Sequence, residues 1–333
     1  MLTHSSSCII VIATKTGGVI LKSVKEKKKE LLENFQVRKS RKQKEKFAER
    51  VKEQAVSEGY KFNIETTKGI IKSRNIVVGN VEKAKVVYTA HYDTCAWSPF
   101  PNMIWLKSPI MYLLYQALIT CIILFVGFGA SLLLAICVGT ADYTQYVFSV
   151  TVLLLGIQLM FGFRNKKTAN DNTSGVLTLL TIMEKIPVSM REDVAFVFFD
   201  NEEKGLIGSS AFYKKHKPDD KCLVNFDCVG EGDNIFFIHK KGADEKHIES
   251  LKNSFPTDKK YSQRVVKGGF FAFPSDQVHF KNGIGVSTAK KCKLGGYYVG
   301  RLHTGRDKVL EETNVLFLAL WACDFAALIE KTN

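Results

Sequence analysis

Residues 194–203 read VAFVFFDNEE, six apolar residues running without a break into an aspartate, an asparagine and two glutamates. An apolar run this short, rich in β-branched and aromatic residues, reads as a strand buried on both faces. Two other stretches repeat the plan. Residues 85–93 read KVVYTAHYD and residues 223–227 read LVNFD, so each strand ends on side chains able to move protons or hold metals. Further strands are expected over 75–79 and 284–288. Helices are expected over 173–185, ending before Pro187, over 208–215, and over 313–330 as a long amphipathic closing segment. Strands alternating with helices imply an α/β fold, a mostly parallel central sheet flanked by helices. Open sheets of this kind gather their ligands at the carboxyl ends of the strands.

One segment does not fit a soluble α/β domain. Between residues 109 and 163 the only charged residue is Asp142, which divides 33 uncharged residues from 21 more. A bilayer-spanning helix needs about 20 such residues. Two spans and a short turn make a transmembrane helical hairpin; a pair of buried core helices is the competing reading. Lys107, Arg164, Lys166 and Lys167 flank the pair on the outside, and the positive-inside rule puts both flanks and the bulk of the protein in the cytoplasm. The expected organisation is a leader of uncertain structure over 1–22 and a basic helical region over 23–57. A catalytic domain follows in two pieces, 58–102 and 165–333, and the inserted hairpin occupies 103–164.

The chain has 333 residues and a formal net charge of +14. Residues 22–52 hold thirteen Lys/Arg against five Glu. Such a run is either a solvated helix face or a patch drawn to anionic lipid. No recognised nucleic-acid motif accompanies it, so nucleic acid is not expected as a partner. Eight cysteines without a C-x-x-C pair do not form a disulfide framework, which fits a reducing compartment. The apolar stretch over 8–20 lacks a basic start and a small-residue cleavage site and does not read as a signal peptide.

The remaining polar residues at strand ends and loops complete a set. Asp171 opens the helix over 173–185, and His303 lies in the Gly-rich run GGYYVGRLHTGRD over 295–307. With His91, Glu202, Glu203 and Asp227 they supply two imidazoles and three carboxylates plus one spare glutamate. That mixture suits two divalent ions, with zinc favoured by the histidines.

The motifs HYD (91–93), NDNTSG (170–175), FFDNEEKGLIGS (198–209), NFD (225–227) and HTGRD (303–307) resemble those of the co-catalytic di-zinc aminopeptidases of clan MH. That group takes in bacterial leucyl aminopeptidases, glutamate carboxypeptidase, glutaminyl cyclases and the inactive transferrin-receptor ectodomains. The resemblance covers residues 56–100 and 165–333. It implies that His91 and Asp227 hold one Zn²⁺, that Glu203 and His303 hold the other, and that Asp171 bridges both. It implies that Glu202 is the general base acting on a water between the two ions, and that Asp93 accepts a hydrogen bond from the His91 ring and fixes its tautomer. Asp307 is either a partner behind the metal or a solvated loop acid. Ser275-Asp276 resembles a Ser-Asp pair common in the family, but Gln277 stands where a His often follows.

The function expected on this resemblance is a membrane-anchored metallo-exopeptidase acting on peptides, an aminopeptidase before a carboxypeptidase. An inactive peptidase-fold scaffold and a glutaminyl-cyclase-like activity are the alternatives. Arg301 and Arg306 are the candidates for a carboxylate clamp. Only seven positions separate Arg164 from Asp171, a reach of at most about 25 Å, so the metal centre is expected close to the bilayer surface.

Overall fold

The computed structural model describes residues 15–69, 71–256, 260–268, 272–293 and 295–332. Strands β1 (Phe62–Thr66), β2 (Arg74–Val78), β3 (Val86–His91), β4 (Asn102–Leu106), β5 (Val194–Phe199), β6 (Cys222–Phe226), β7 (Asn234–His239), β8 (Ser262–Lys267), β9 (Gly283–Lys291) and β10 (Tyr297–Leu302) form one sheet. Along its main path the order is β1-β2-β5-β3-β6-β9-β10-β4, and β7 and β8 branch from β9. The middle of the sheet, β5-β3-β6-β9, is parallel. Its flanks pair antiparallel except for β8, which runs parallel to β7, so the sheet is mixed overall.

The central strands are apolar throughout because both faces are covered. Val86, Tyr88 and Ala90 of β3 and Val194, Phe196 and Phe198 of β5 point into one core. Val87, Ala195, Val197 and Phe199 point into a second, with Phe212. Alternate side chains of a strand face opposite sides, so only a residue run without polar interruption can fill two cores. The first core is closed by α1 (Lys15–Asn34), α2 (Arg41–Ser57), α5 (Gly175–Lys185) and α8 (Glu312–Thr332); the second by α6 (Ile207–His216). Helix α7 (Glu245–Asn253) packs beside α8, and Trp321 lies wholly buried between Phe226, Phe237 and Phe325.

The basic region is two helices, not one. Ser40 caps α2 by accepting from the Gln43 N–H while the Gln43 side chain accepts from the Ser40 N–H, a reciprocal box that starts a new helix. Its charges are not all on the outside. Arg38 and Lys44 are buried; Lys44 pairs with Asp200, and Arg38 donates to the carbonyl oxygens of Phe35 and Tyr92 and to Thr173 Oγ1. Phe47 fixes α2 to the sheet, with Tyr92 stacked on it and Phe35 and Phe198 edge-on. The leader read over 1–22 falls outside the described residues up to residue 14, and α1 begins at Lys15.

Helices α3 (Pro109–Val138) and α4 (Thr144–Phe161) pack on each other and stand away from the sheet. Only Gly127 and Ser131 are buried in α3, and no residue of α4 is. Gly127 is the closest approach: a Cβ there would lie 2.8 Å from Val152 Cγ2 and 3.3 Å from the Phe148 ring. Large apolar side chains face outward on both, Phe125 being 75% and Tyr146 72% exposed. Among the described residues three helices are long and apolar enough to cross a membrane, α3, α4 and α8. Helix α8 spends its apolar face on the first core. The boundary read at 102/103 falls inside β4, which pairs with β10, so the apolar helices begin at Pro109. Their base is pinned where Trp97 N donates to Phe163 O (2.7 Å) and Asn165 N to Cys95 O (3.3 Å).

Docking of α2 through Phe47 sets a stability expectation. Phe47→Ala should lower unfolding stability by about 3–5 kcal/mol, measured by denaturant unfolding in detergent. A wild-type unfolding midpoint for this variant would mean that the Phe47 ring is not buried against the sheet.

Candidate metal centre

Parallel pairing brings the strand ends level. His91 is the last residue of β3 and pairs in register with Phe199 of β5, so His91 and the turn that follows β5 share one edge. Asp227 follows β6 directly on the other side of β3. His303 follows β10 with φ +61°. Asp171 lies in a wholly buried turn over 169–174 that leads into α5. Asn172 ties this turn to the sheet, donating to Phe226 O (3.0 Å) and accepting from Gly175 N (3.0 Å). Gly175 is required there: a Cβ would sit 2.3 Å from Phe226 O. The Asp171–Asn172 peptide is cis.

The structure brings the sequence-predicted residues together. His91 Nε2 is 3.3 Å from Asp171 Oδ1 and 3.6 Å from Asp227 Oδ1. His303 Nε2 is 3.3 Å from Asp171 Oδ2 and 3.2 Å from Glu203 Oε2. The two oxygens of Asp171 thus face two different imidazoles. Two donor groups able to hold a metal ion share Asp171: His91, Asp171 and Asp227, and Cys95, Asp171, Glu203 and His303. Glu202 joins His91 and Glu203 in a third. Asp227 Oδ1 and Glu203 Oε1 are buried without a hydrogen-bond partner, as expected of oxygens directed at a cation. Imidazole nitrogens with carboxylate oxygens at these separations fit zinc.

Electrostatics support a cation in the same place. Burial would raise the Asp171 carboxyl, but hydrogen bonds from His303 and His91 hold it well below the usual range. Burial opposes charge on the imidazoles, yet Glu202 beside His91 and Glu203 beside His303, with the shared Asp171, push both well above 6.5. Burial, then the neighbouring Glu203, Asp276 and Asp227 carboxylates against the pull of His91, push Glu202 up strongly. A divalent cation held here would take the place of positive charge on the imidazoles, because imidazole must be neutral to ligate.

Asp93 lies against the His91 ring. The nearest acceptor to His91 Nδ1 is the Asp93 carbonyl oxygen at 3.2 Å, and the Asp93 carboxylate stands 3.7 Å away. That carboxylate accepts from the Glu202 N–H at 3.0 Å, so Asp93 positions the Glu202 turn as well as the ring. Asp307 is not a solvated acid. It is buried, and its two oxygens accept from Asn170 N (2.7 Å) and Asp171 N (3.0 Å), with burial pushing its carboxyl up to about 8. Asp276 is fully buried near His91, and burial pushes its carboxyl up to about 7. Tyr298 packs on Trp105 and Tyr297 on Phe236. His216, His239, His247 and His279 lie outside the cluster, and His4 lies outside the described residues.

Three contributors escaped the sequence reading. Arg38 sits behind the cluster as a buried cation, its guanidinium pushed down to about 10 by burial; it is hidden among lysines, and no spacing sets it apart. Cys95 reads as a buried strand-loop thiol. Tyr112, in the first turn of α3, lines the same cavity of about 300 Å³ as His91, Glu202 and His303, together with Asn102 and Ile104 of β4. Arg301 and Arg306 line a second cavity of about 460 Å³, where Arg301 pairs with Glu231.

No curated protein matches the sequence. Residues 155–314 match the model of peptidase family M28. Among solved structures, the aminopeptidase LapA of Legionella pneumophila is similar at 13% identity with a TM-score of 0.57, covering 99% of this chain and 75% of that one. A glutaminyl cyclase of Porphyromonas gingivalis is similar at 14% identity and 0.54, covering 92% and 96%. A Zn-dependent exopeptidase of Parabacteroides distasonis is similar at 14% and 0.52, covering 92% and 96%. At these identities the structures share the fold. Four of the five clustered imidazole and carboxylate donors lie inside the matched segment, which spans just under half of the chain, and with the fold common to nearly the whole chain the protein is a zinc-dependent metallopeptidase similar over that segment to peptidase family M28.

Proposed function

We propose that the protein is a membrane-anchored aminopeptidase in which His91, Asp227, Glu203 and His303 hold two zinc ions bridged by Asp171. The observation that carries this reading is the Asp171 carboxylate, whose two oxygens each face a separate imidazole at 3.3 Å. Oxygens that face different imidazoles would let this carboxylate serve two adjacent cations rather than chelate one. Zinc bound here supplies Lewis acidity, acidifying a water and polarising the scissile carbonyl. Glu202 sits at the cavity wall beside His91 and Glu203. It takes the water's proton and returns it to the leaving amine. The N–H of Glu202, held by Asp93, keeps that turn in place.

The cavity favours an amine over a carboxylate. Among the described residues its lining includes Asp171, Glu202, Glu203 and Asp227 and no Lys or Arg. A carboxypeptidase needs a basic clamp, and Arg301 and Arg306 line the other cavity. A cyclase with one zinc has no use for the second group of donors.

The hairpin supports the anchoring. Helices α3 and α4 expose apolar faces that only lipid or another apolar surface covers at low cost. Lys107, Arg164, Lys166 and Lys167 at their base set both ends on the cytoplasmic side, with the catalytic domain. Tyr112 belongs at once to the first turn of α3 and to the cavity wall, so peptides reach the metal centre along the membrane surface.

Three outcomes follow. Glu202→Gln should keep its zinc and lose about 10²–10⁴-fold in turnover, read by metal analysis and a peptide-library digest of one detergent-purified sample; near-normal turnover removes Glu202 as the base. Asp307→Asn places an amide N–H₂ against backbone donors and should weaken zinc binding about 10–100-fold, measured by competition with a chelator; unchanged affinity means that the Asp171 turn holds itself. Replacing residues 109–161 by a short linker should change peptide preference, and a soluble product with the same preference would make the hairpin only a tether.

A further inference from the structure

We propose that Cys95 is a fourth protein ligand of the cation at His303 and Glu203, which makes the two metal positions chemically unequal. The proposal rests on the di-metal reading above and names a donor outside the five on which that reading depends. The donor atoms of Cys95, Asp171, Glu203 and His303 all lie within 4.8 Å of one another. Four ligands around one zinc, with Zn–S of about 2.3 Å and Zn–N or Zn–O of about 2.0–2.2 Å, place donor atoms about 3–4 Å apart, so small side-chain shifts close the set. Cys95 is 1% exposed. A buried thiol ordinarily behaves as a small apolar side chain; this one is surrounded by two carboxylates and an imidazole. Its position is fixed. Cys95 O accepts from Asn165 N at 3.3 Å, and Asn165 Nδ2 lies 3.7 Å from the sulfur, an amide donor of the kind that steadies a metal-bound thiolate. Cys228 lines the cavity too, yet it belongs to none of the donor groups.

The consequence is a division of labour. With Cys95 the second position has four protein donors and is closed, as structural zinc sites are. The first, with His91, Asp171 and Asp227, has three and stays open to water and substrate. Thiolate also selects soft and borderline cations, so the closed position fills first and holds zinc against magnesium or manganese. On binding, the S–H bond breaks, the proton leaves to solvent and the sulfur–metal bond forms, with no change of oxidation state.

Cobalt substitution tests this on the full chain in detergent. Chelator-stripped protein is titrated with Co²⁺ and followed by absorption. The expected result is a near-ultraviolet thiolate-to-cobalt charge-transfer band that grows with the first equivalent, alongside visible d–d bands from both equivalents. Cys95→Ser should abolish the near-ultraviolet band, keep visible bands and weaken one of the two equivalents at least about tenfold. Cys228→Ala should keep the band. Visible bands without the near-ultraviolet band in the wild type would overturn the assignment of Cys95 and leave the metallopeptidase reading intact. A band that persists in Cys95→Ser or vanishes in Cys228→Ala would overturn it likewise. Failure of the wild type to bind cobalt at all would remove the metal centre itself. The wild-type spectrum decides even if the Cys95 variant does not fold.

Discussion

Four carboxylates, Asp171, Glu202, Glu203 and Asp227, line one cavity of about 300 Å³. Two unit charges 4 Å apart repel by about 4 kcal/mol at an effective dielectric of 20, so the ionised group does not hold together unaided. Much of the chain near the site works against that repulsion. Asp171 is pinned through its own peptide N–H by Asp307, and Glu202 through its N–H by Asp93. Arg38 brings a buried positive charge behind the turn, and Lys44 brings another to the neighbouring Asp200. A divalent cation would complete the balance, and a metal site is therefore the natural reading of such crowding.

The parts of this arrangement visible in the sequence are those set by the strands. Apolar runs ending at His91, Asp200 and Asp227 announce both a buried sheet and its functional edge, because parallel strands in register must end level. His303 and Asp171 are read through the motifs around them. The remainder depends on side chains that cross between elements. Arg38 looks like one more lysine-rich surface charge until α2 folds back on Phe47. Asp307 looks like a loop acid until its two oxygens meet the Asn170 and Asp171 amides. The break between α1 and α2 is written in Ser40 and Gln43, a capping pair that periodicity passes over.

The apolar pair α3 and α4 poses the opposite case. Its composition is unmistakable, whereas its junction with the catalytic domain is not. Residues 103–106 read as the start of the hairpin but fold, with Asn102, as a strand against β10. Hydropathy sees apolar side chains and cannot tell an edge strand from the approach to a helix. The strand matters, since Asn102 and Ile104 bring the cavity wall to the foot of α3.

Strand β3 lies between β5 and β6, and both are encoded after the two apolar helices. During synthesis, β3 therefore waits without a parallel neighbour while residues 109–161 leave the ribosome. His91 can meet Asp171, Glu203 and Asp227 only once the later half of the sheet closes over it. On the proposed anchoring, insertion would precede activation, and a chain that stalls between the two steps would carry no assembled hydrolytic centre.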